Sequence, residues 1–261
     1  PSTSWTSLGA NYDFLGDQQT GDPASDIVGT GADPGFYTAF DYGGSSPTDG
    51  HLGFRVRLDD HGGNSANPAF DRNLWVGIDA DLNGDIDVFV GVNRQGSSNE
   101  IGIYAPGSGL NNSPNTTTIV STPFTSYAIA PSNFNYRLAD FVSDGGTTND
   151  LTTTSTGDPD WYASFLVPFN DVVTYLGGLS SPILLDDSTA MRYIVATSTQ
   201  VNSLNQDIGG LDGGTNSTTP FVETGSFTPP VDAGGNPVPE PAATGSLALA
   251  LLLLLGRRHR R

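Results

Sequence analysis

The sequence predicts an all-β protein, a β-sandwich of jelly-roll type built from about ten strands. Three observations point there. Short apolar runs recur between turns rich in Gly, Pro, Asn and Asp. Residues 52–58 alternate strictly, with Leu52, Phe54, Val56 and Leu58 on one face and Arg55 and Arg57 on the other. At most one segment, Phe169–Leu176, reads as a short helix or turn.

In chain order, residues 1–34 are polar and offer one short strand, Asn11–Leu15. Phe36–Asp41 and Leu52–Leu58 follow as strands, joined by turns to a loop at Asp59–Asp71. Leu74–Ile78 and Ile86–Val92 form a hairpin. Both arms are nearly continuous apolar runs, which predicts central strands covered on both faces. Asn99–Tyr104, Thr116–Ser121, Ser126–Ala130, Tyr136–Val142, Tyr162–Val167 and Met191–Thr197 complete the strands, by their β-branched and aromatic content. The expected organisation is a sandwich domain over 1–214, a Pro/Gly/Thr-rich linker over 215–237 and a terminal signal over 238–261. The body loosely resembles jelly-roll and carbohydrate-binding sandwiches, a likeness of fold that says little about function.

Composition narrows the chemistry. There is no Cys and no Lys, and all ten basic residues are Arg. Thiol nucleophiles, Schiff bases and the P-loop lysine are therefore excluded. No Gly-x-Ser-x-Gly elbow and no His-Glu-x-x-His occurs. The formal net charge is −18, so the body should repel nucleic acid and anionic lipid. Of 28 acidic residues only Glu100, Glu223 and Glu240 are Glu. Asp suits turns and hard-cation coordination, where Glu suits helices.

The acids concentrate in the hairpin loop Asp79-Ala80-Asp81-Leu82-Asn83-Gly84-Asp85-Ile86-Asp87. Set on a twelve-residue calcium loop, Asp79, Asp81 and Asn83 hold positions 1, 3 and 5. Gly84 takes position 6, where the turn needs positive φ, and Asp85 offers its carbonyl at position 7. Asp87 at position 9 adds a carboxylate, directly or through water. Position 12 is Val90, not Glu, and strands flank the loop, so this is not an EF-hand. It resembles the hairpin-borne Asp-x-Asp-x-Asp-Gly loops of integrin-type extracellular β domains, with Asn for the third Asp. The expected cofactor is a structural Ca²⁺ with a Kd of about 10⁻⁴ to 10⁻³ M, replacing the missing disulfides. The competing reading is a solvated Asn-Gly hairpin turn.

Weaker candidates are His51 and His61 beside Asp59 and Asp60 as a metal site, and Asp158, Asp160, Asp186 and Asp187 as further calcium ligands. Each reads more simply as surface or polar turn. Trp75 and Trp161 open apolar strands and are expected in the core, while Trp5, Tyr12, Phe36 and Tyr37 lie in more polar surroundings. The amide- and hydroxyl-rich run Thr197–Asp207 is expected to satisfy backbone groups at the end of the last strand.

The chain ends in Pro239-Glu240-Pro241, an apolar run in which Leu247, Leu249, Leu251, Leu252, Leu253, Leu254 and Leu255 alternate only with Ala, and Arg257, Arg258, Arg260 and Arg261 around His259. A helix from Ala242 to Gly256 would be about 22 Å long, a marginal span of a ~30 Å hydrocarbon core. Arg side chains extend it by snorkelling, and the basic cluster stays cytoplasmic. Two prolines keep Glu240 extended, where a protease can grip it. In this order the three parts resemble the PEP-CTERM sorting signal; the plainer reading is a tail anchor with a Pro-rich hinge. The resemblance covers 24 residues. It implies a Gram-negative bacterium that makes extracellular polysaccharide, cleavage by an exosortase-type membrane protease, and transient anchoring before release to the cell surface or matrix. Pro1 is then expected to follow an export signal. On this reading the body is an exported, non-catalytic surface protein. The alternative is a carbohydrate-binding module acting on extracellular polysaccharide.

Overall fold

The computed structural model describes residues 4–8, 13–44, 46–64, 66–94, 96–151 and 159–239. Within them lie strands β1 (Thr6–Ser7), β2 (Phe36–Asp41), β3 (His51–Leu58), β4 (Gly62–Asn64), β5 (Asn67–Ala69), β6 (Asn73–Asp79), β7 (Val88–Asn93) and β8 (Glu100–Tyr104). They continue as β9 (Thr125–Ala128), β10 (Phe134–Leu138), β11 (Trp161–Pro168), β12 (Arg192–Ser198) and β13 (Asp207–Ile208). The helices are short: α1 (Phe141–Asp144), α2 (Phe169–Gly177) and α3 (Phe221–Thr224).

The protein is mostly β. A five-stranded sheet runs β1-β2-β3-β11-β10 and a six-stranded sheet runs β13-β12-β6-β7-β8-β9, with β4 and β5 as a separate hairpin. Neighbouring strands are antiparallel throughout both sheets. One apolar core is shared between the sheets. From the first come Leu52, Phe54, Val56, Phe165 and Val167; from the second come Leu74, Val76, Ile78, Val90, Ile101 and Tyr193. The alternation of β3 thus puts its even positions into the core, in register with Ala163 and Phe165 of β11.

Strands β6 and β7 are buried along their whole length. Their second face meets a separate cluster of Trp75, Ile86, Phe89, Tyr104, Ile194, Leu204 and Phe221. Loops and α3 therefore cover the outer side of the six-stranded sheet, which explains the unbroken apolar runs of the hairpin. Trp75 finds room there because its register partner is Gly91. A Cβ on Gly91 would stand 2.5 Å from the Trp75 ring and 2.2 Å from the Leu74 carbonyl oxygen.

The segment Phe169–Gly177 is a helix, and it buries Phe169, Val172 and Leu176 on one face. The expected strand Thr116–Ser121 is reduced to one bridge, Pro106 with Ile119. Hydroxyls draw this backbone into a turn: Thr117 Oγ1 donates to the Ser113 carbonyl at 2.7 Å, and Ser113 and Thr116 share a hydrogen bond at 2.8 Å. The expected strand Tyr136–Val142 shifts to β10, because Asp140 caps α1 by accepting from the Val142 amide at 3.1 Å. Of Asn11–Leu15 only Asp13–Leu15 is described, and Asp13 bridges Gly29.

The stretch 215–237, expected as a linker, packs on the body. Phe221 is fully buried, Ala233 is buried, and Val231 bridges both Met191 and Pro237. Among the described residues no helix is long and apolar enough to cross a membrane. Pro239 is described and exposed; Glu240, Pro241, the leucine run and Arg257, Arg258, Arg260 and Arg261 lie outside the described residues.

Candidate metal centre

The β6–β7 hairpin closes when the Asp87 amide donates to the Ile78 carbonyl at 2.9 Å. Between them the chain turns through two left-handed residues, Leu82 at φ 63° and Gly84 at φ 94°. Gly84 adopts its conformation without strain, as its place in the spacing requires. Leu82 is held there by the hydrogen bonds around it.

Those bonds run to the acidic side chains. Asp79 accepts from the Asn83 amide at 3.1 Å and from the Gly84 amide at 3.0 Å. Asp81 accepts from the Asn83 amide and side chain at 3.2 and 3.1 Å. Asn83 Oδ1 accepts from the Asp85 amide at 2.7 Å, and Asp87 accepts from the Ala80 amide at 2.8 Å. Asp79, Asp81 and Asp87 each bring a carboxylate oxygen within 4.8 Å of the other two. Two oxygens held ~2.4 Å from one calcium ion lie at most ~4.8 Å apart, so the three fit around one ion. Asn83 presents its side-chain nitrogen to Asp81 and its Oδ1 to the Asp85 amide. The Asp85 side chain is not among the converging carboxylates, which leaves it the backbone role its position suggests.

Crowding has an electrostatic cost. Burial, and then the charges of Asp81 and Asp79, push the Asp87 carboxyl up to about 6. Burial likewise raises Asp79, with Asp81 adding to it and Arg192 across the strand pair opposing it. An all-oxygen donor set with surplus negative charge is suited to a hard divalent cation.

The remaining sequence candidates disperse. Among the described residues, no histidine belongs to a group converging tightly enough to hold a metal. His51 lies 4.0 Å from Asp41 and His61 lies 3.8 Å from Asp60. Asp158 lies outside the described residues, while Asp160 is fully buried in an ion pair with Arg57. Asp186 is closed into a turn by Ser188 and Thr189, whose hydrogen bonds lower its carboxyl. Trp75 is fully buried, and Trp161 stacks on Tyr136 at 4.9 Å. Phe36 is buried as well, whereas Tyr12 lies outside the described residues. In the run Thr197–Asp207, Thr197 Oγ1 donates to the Ser25 carbonyl, Ser198 Oγ to that of Gln200, and Asp207 accepts from the Ile27 and Ile208 amides, so the run does satisfy backbone.

A cleft of about 910 Å³ was not legible in the sequence; Trp5, Arg55, Arg137, Asp144 and Ser164 are among its lining residues. The Arg55 guanidinium lies 4.5 Å from the Trp5 ring centre. Alternation in β3 places Arg55 on the outer face, but its neighbours come from β10, α1 and the residue preceding β1, which local patterns do not connect. Comparison with protein-family models, curated proteins and solved structures gives no match for this chain.

Proposed function

We propose that the chain is an exported, non-catalytic β-sandwich protein of the cell surface or extracellular matrix. A calcium ion at the β6–β7 hairpin stabilises it, and its PEP-CTERM-like tail sorts it. The observation that carries the calcium reading is the convergence of Asp79, Asp81 and Asp87 at the tip of the most buried strand pair. The shared apolar core of the two sheets supports the sandwich reading, and the succession of Pro-Glu-Pro, leucine run and arginine cluster along the sequence supports the sorting. Against the raising effect of burial, hydrogen bonds from Arg137 and the charges of Arg137 and Arg55 hold Asp144 of the cleft below the usual carboxylate range.

Thermal melts of the full chain in detergent, in calcium and in chelator, test the metal; equal melting temperatures overturn it. Fractionation of cells expressing the chain with and without Arg257–Arg261 tests the address. Loss of membrane retention and processing is expected on deletion, and unchanged processing counts against it.

The cleft beside Trp5 supports the second reading, a carbohydrate-binding module. Its lining combines an indole, arginines and a carboxylate, groups that engage sugar rings and hydroxyls. A glycan array run with and without calcium decides between the two.

A further inference from the structure

Far from the hairpin, three carboxylates meet, with a fourth acid beside them, where the N-terminal segment crosses the end of the six-stranded sheet. Asp13, Asp17 and Asp207 each place a carboxylate oxygen within 4.8 Å of the other two. Asp26 adds its charge to Asp13 and Asp207. Three of the four share one arrangement. Asp13 accepts from the Gly210 amide at 3.0 Å, Asp17 from the Gly213 amide at 2.7 Å and Asp26 from the Gly16 amide at 2.7 Å. In each the other oxygen, Asp13 Oδ2, Asp17 Oδ1 and Asp26 Oδ1, is buried with no hydrogen-bond partner, and so is Gln18 Oε1. Asp13 is only 6% exposed and Asp26 is fully buried. Asp207 is also buried, with one oxygen on the Ile27 amide and one on the Ile208 amide, both at 2.6 Å.

An unpartnered buried carboxylate oxygen costs on the order of 1–3 kcal/mol or more. Several of them facing one another is an arrangement that a cation resolves. Asp13 is surrounded by Asp207, Asp17 and Asp26, all of which raise its carboxyl in addition to the effect of burial. In Asp13, Asp17 and Asp26 a backbone amide orients the side chain by one oxygen and leaves the other available, which is pre-organisation of a donor set.

We propose that Asp13, Asp17 and Asp207 form a second site for a hard divalent cation, calcium by its oxygen-only donors, with the charge of Asp26 beside it. Three carboxylates supply at least three of the six to eight oxygens calcium takes, and water completes the set. The ion would tie residues 13–17 to β13 and the following loop, close to 200 positions later in the chain, a connection a disulfide would otherwise make. The site is independent of the hairpin loop and does not rest on the reading of that loop.

The test is calorimetric titration of the calcium-stripped full chain in detergent with calcium chloride, paired with thermal melts. The wild type is expected to take up two ions. Asp17→Asn keeps an oxygen to accept from Gly213 while removing a charge, so folding should survive. It should bind one ion, or bind the second about tenfold or more weakly. Its melting temperature should hold or rise in chelator and fall in calcium, a reversal that a purely structural role for Asp17 would not give. Asp81→Asn should retain one ion and a calcium-dependent rise in melting temperature. Unchanged stoichiometry and calcium response in Asp17→Asn would overturn this site. Loss of all calcium response in Asp81→Asn would overturn it as well, whereas an unchanged wild-type response there would remove only the hairpin reading.

Discussion

Arg57 and Asp160 form an ion pair sealed from water. Nε of Arg57 lies 2.5 Å from Oδ2 of Asp160, and the two side chains are 2% and 0% exposed. The same guanidinium lies 3.4 Å from Asp33 and donates to the Thr148 carbonyl at 2.8 Å. Asp33 is held below its usual range: burial opposes, but hydrogen bonds from Thr147 and Thr148 and the charge of Arg57 prevail. One arginine therefore fastens the loop after α1 to the outer face of β3. Arg57→Ala would leave two buried carboxylates without their partner. A loss of about 3–5 kcal/mol is expected, read as a lower urea midpoint with unchanged slope. A loss under about 1 kcal/mol would mean that water reaches the pair.

The hairpin loop yields a prediction that separates metal binding from hydrogen bonding. Asp79 is buried and accepts two backbone amides, so Asp79→Ala should destabilise the protein by about 1–3 kcal/mol even in chelator. Asp81 is exposed and accepts only from Asn83. Asp81→Asn should therefore leave the melting temperature in chelator nearly unchanged and remove most of the hairpin's share of the calcium-dependent rise. Thermal melts of both variants with calcium and with chelator check this. A similar loss from Asp81→Asn under both conditions would show that its role is not metal binding.

These two sites differ in how far the sequence reveals them, and the difference is one of chain separation. The hairpin carboxylates lie within nine consecutive residues, so spacing alone places Asp79, Asp81 and Asp87 together. The alternation at Leu52, Phe54, Val56 and Leu58 is legible for the same reason. Asp13 and Asp207 are brought together only by the packing of a loop against β13, and no local pattern announces that. The residues 215–237 have a linker's composition, yet a few apolar side chains, Phe221, Val231 and Ala233, suffice to anchor them. Thr116–Ser121 misleads because β-branched threonines favour strands, while their hydroxyls here close a turn. Arg57 is placed by alternation on the outer face of β3, but its burial depends on a loop that covers it from far along the chain.

Gly91 offers a test of how tightly the outer side of the six-stranded sheet is filled. Trp75 packs over it and meets Tyr104 edge-on at 5.0 Å. An added methyl has backbone oxygen on one side and an indole fixed in a buried cluster on the other. Gly91→Ala should therefore cost about 1–3 kcal/mol despite its better intrinsic strand preference. Denaturation measurements would give the size, and a blue- or red-shifted Trp75 fluorescence would report the displaced ring. A stabilised Gly91→Ala protein would show that the ring moves aside freely.

The crowded acids predict a pH dependence whose sign depends on calcium. Burial, with like charges around them, pushes Asp26 and Asp59 up to about 7 and raises Asp13 and Asp207. Asp87 is raised to about 6 by burial and its neighbours Asp81 and Asp79. Each of these pKa values lies above the 3.8 of an ordinary aspartate, so between the two values the folded chain binds more protons than the unfolded one. Their contribution to stability is full below the ordinary value and is lost as pH rises through the folded one. Asp33 and Asp144 act oppositely, but their contribution is lost only below about 4, outside the window. In chelator the melting temperature should therefore fall steadily from pH 5 to pH 8. In calcium the carboxylates of the two proposed sites, Asp13, Asp207 and Asp87 among them, are wanted in their charged form, because the ion competes with protons for them. The fall should then flatten or reverse between pH 6 and pH 8. Melts at four pH values, with calcium and with chelator, would show both limbs. A fall of equal slope in the two series would mean that the carboxylates are relieved by protons alone.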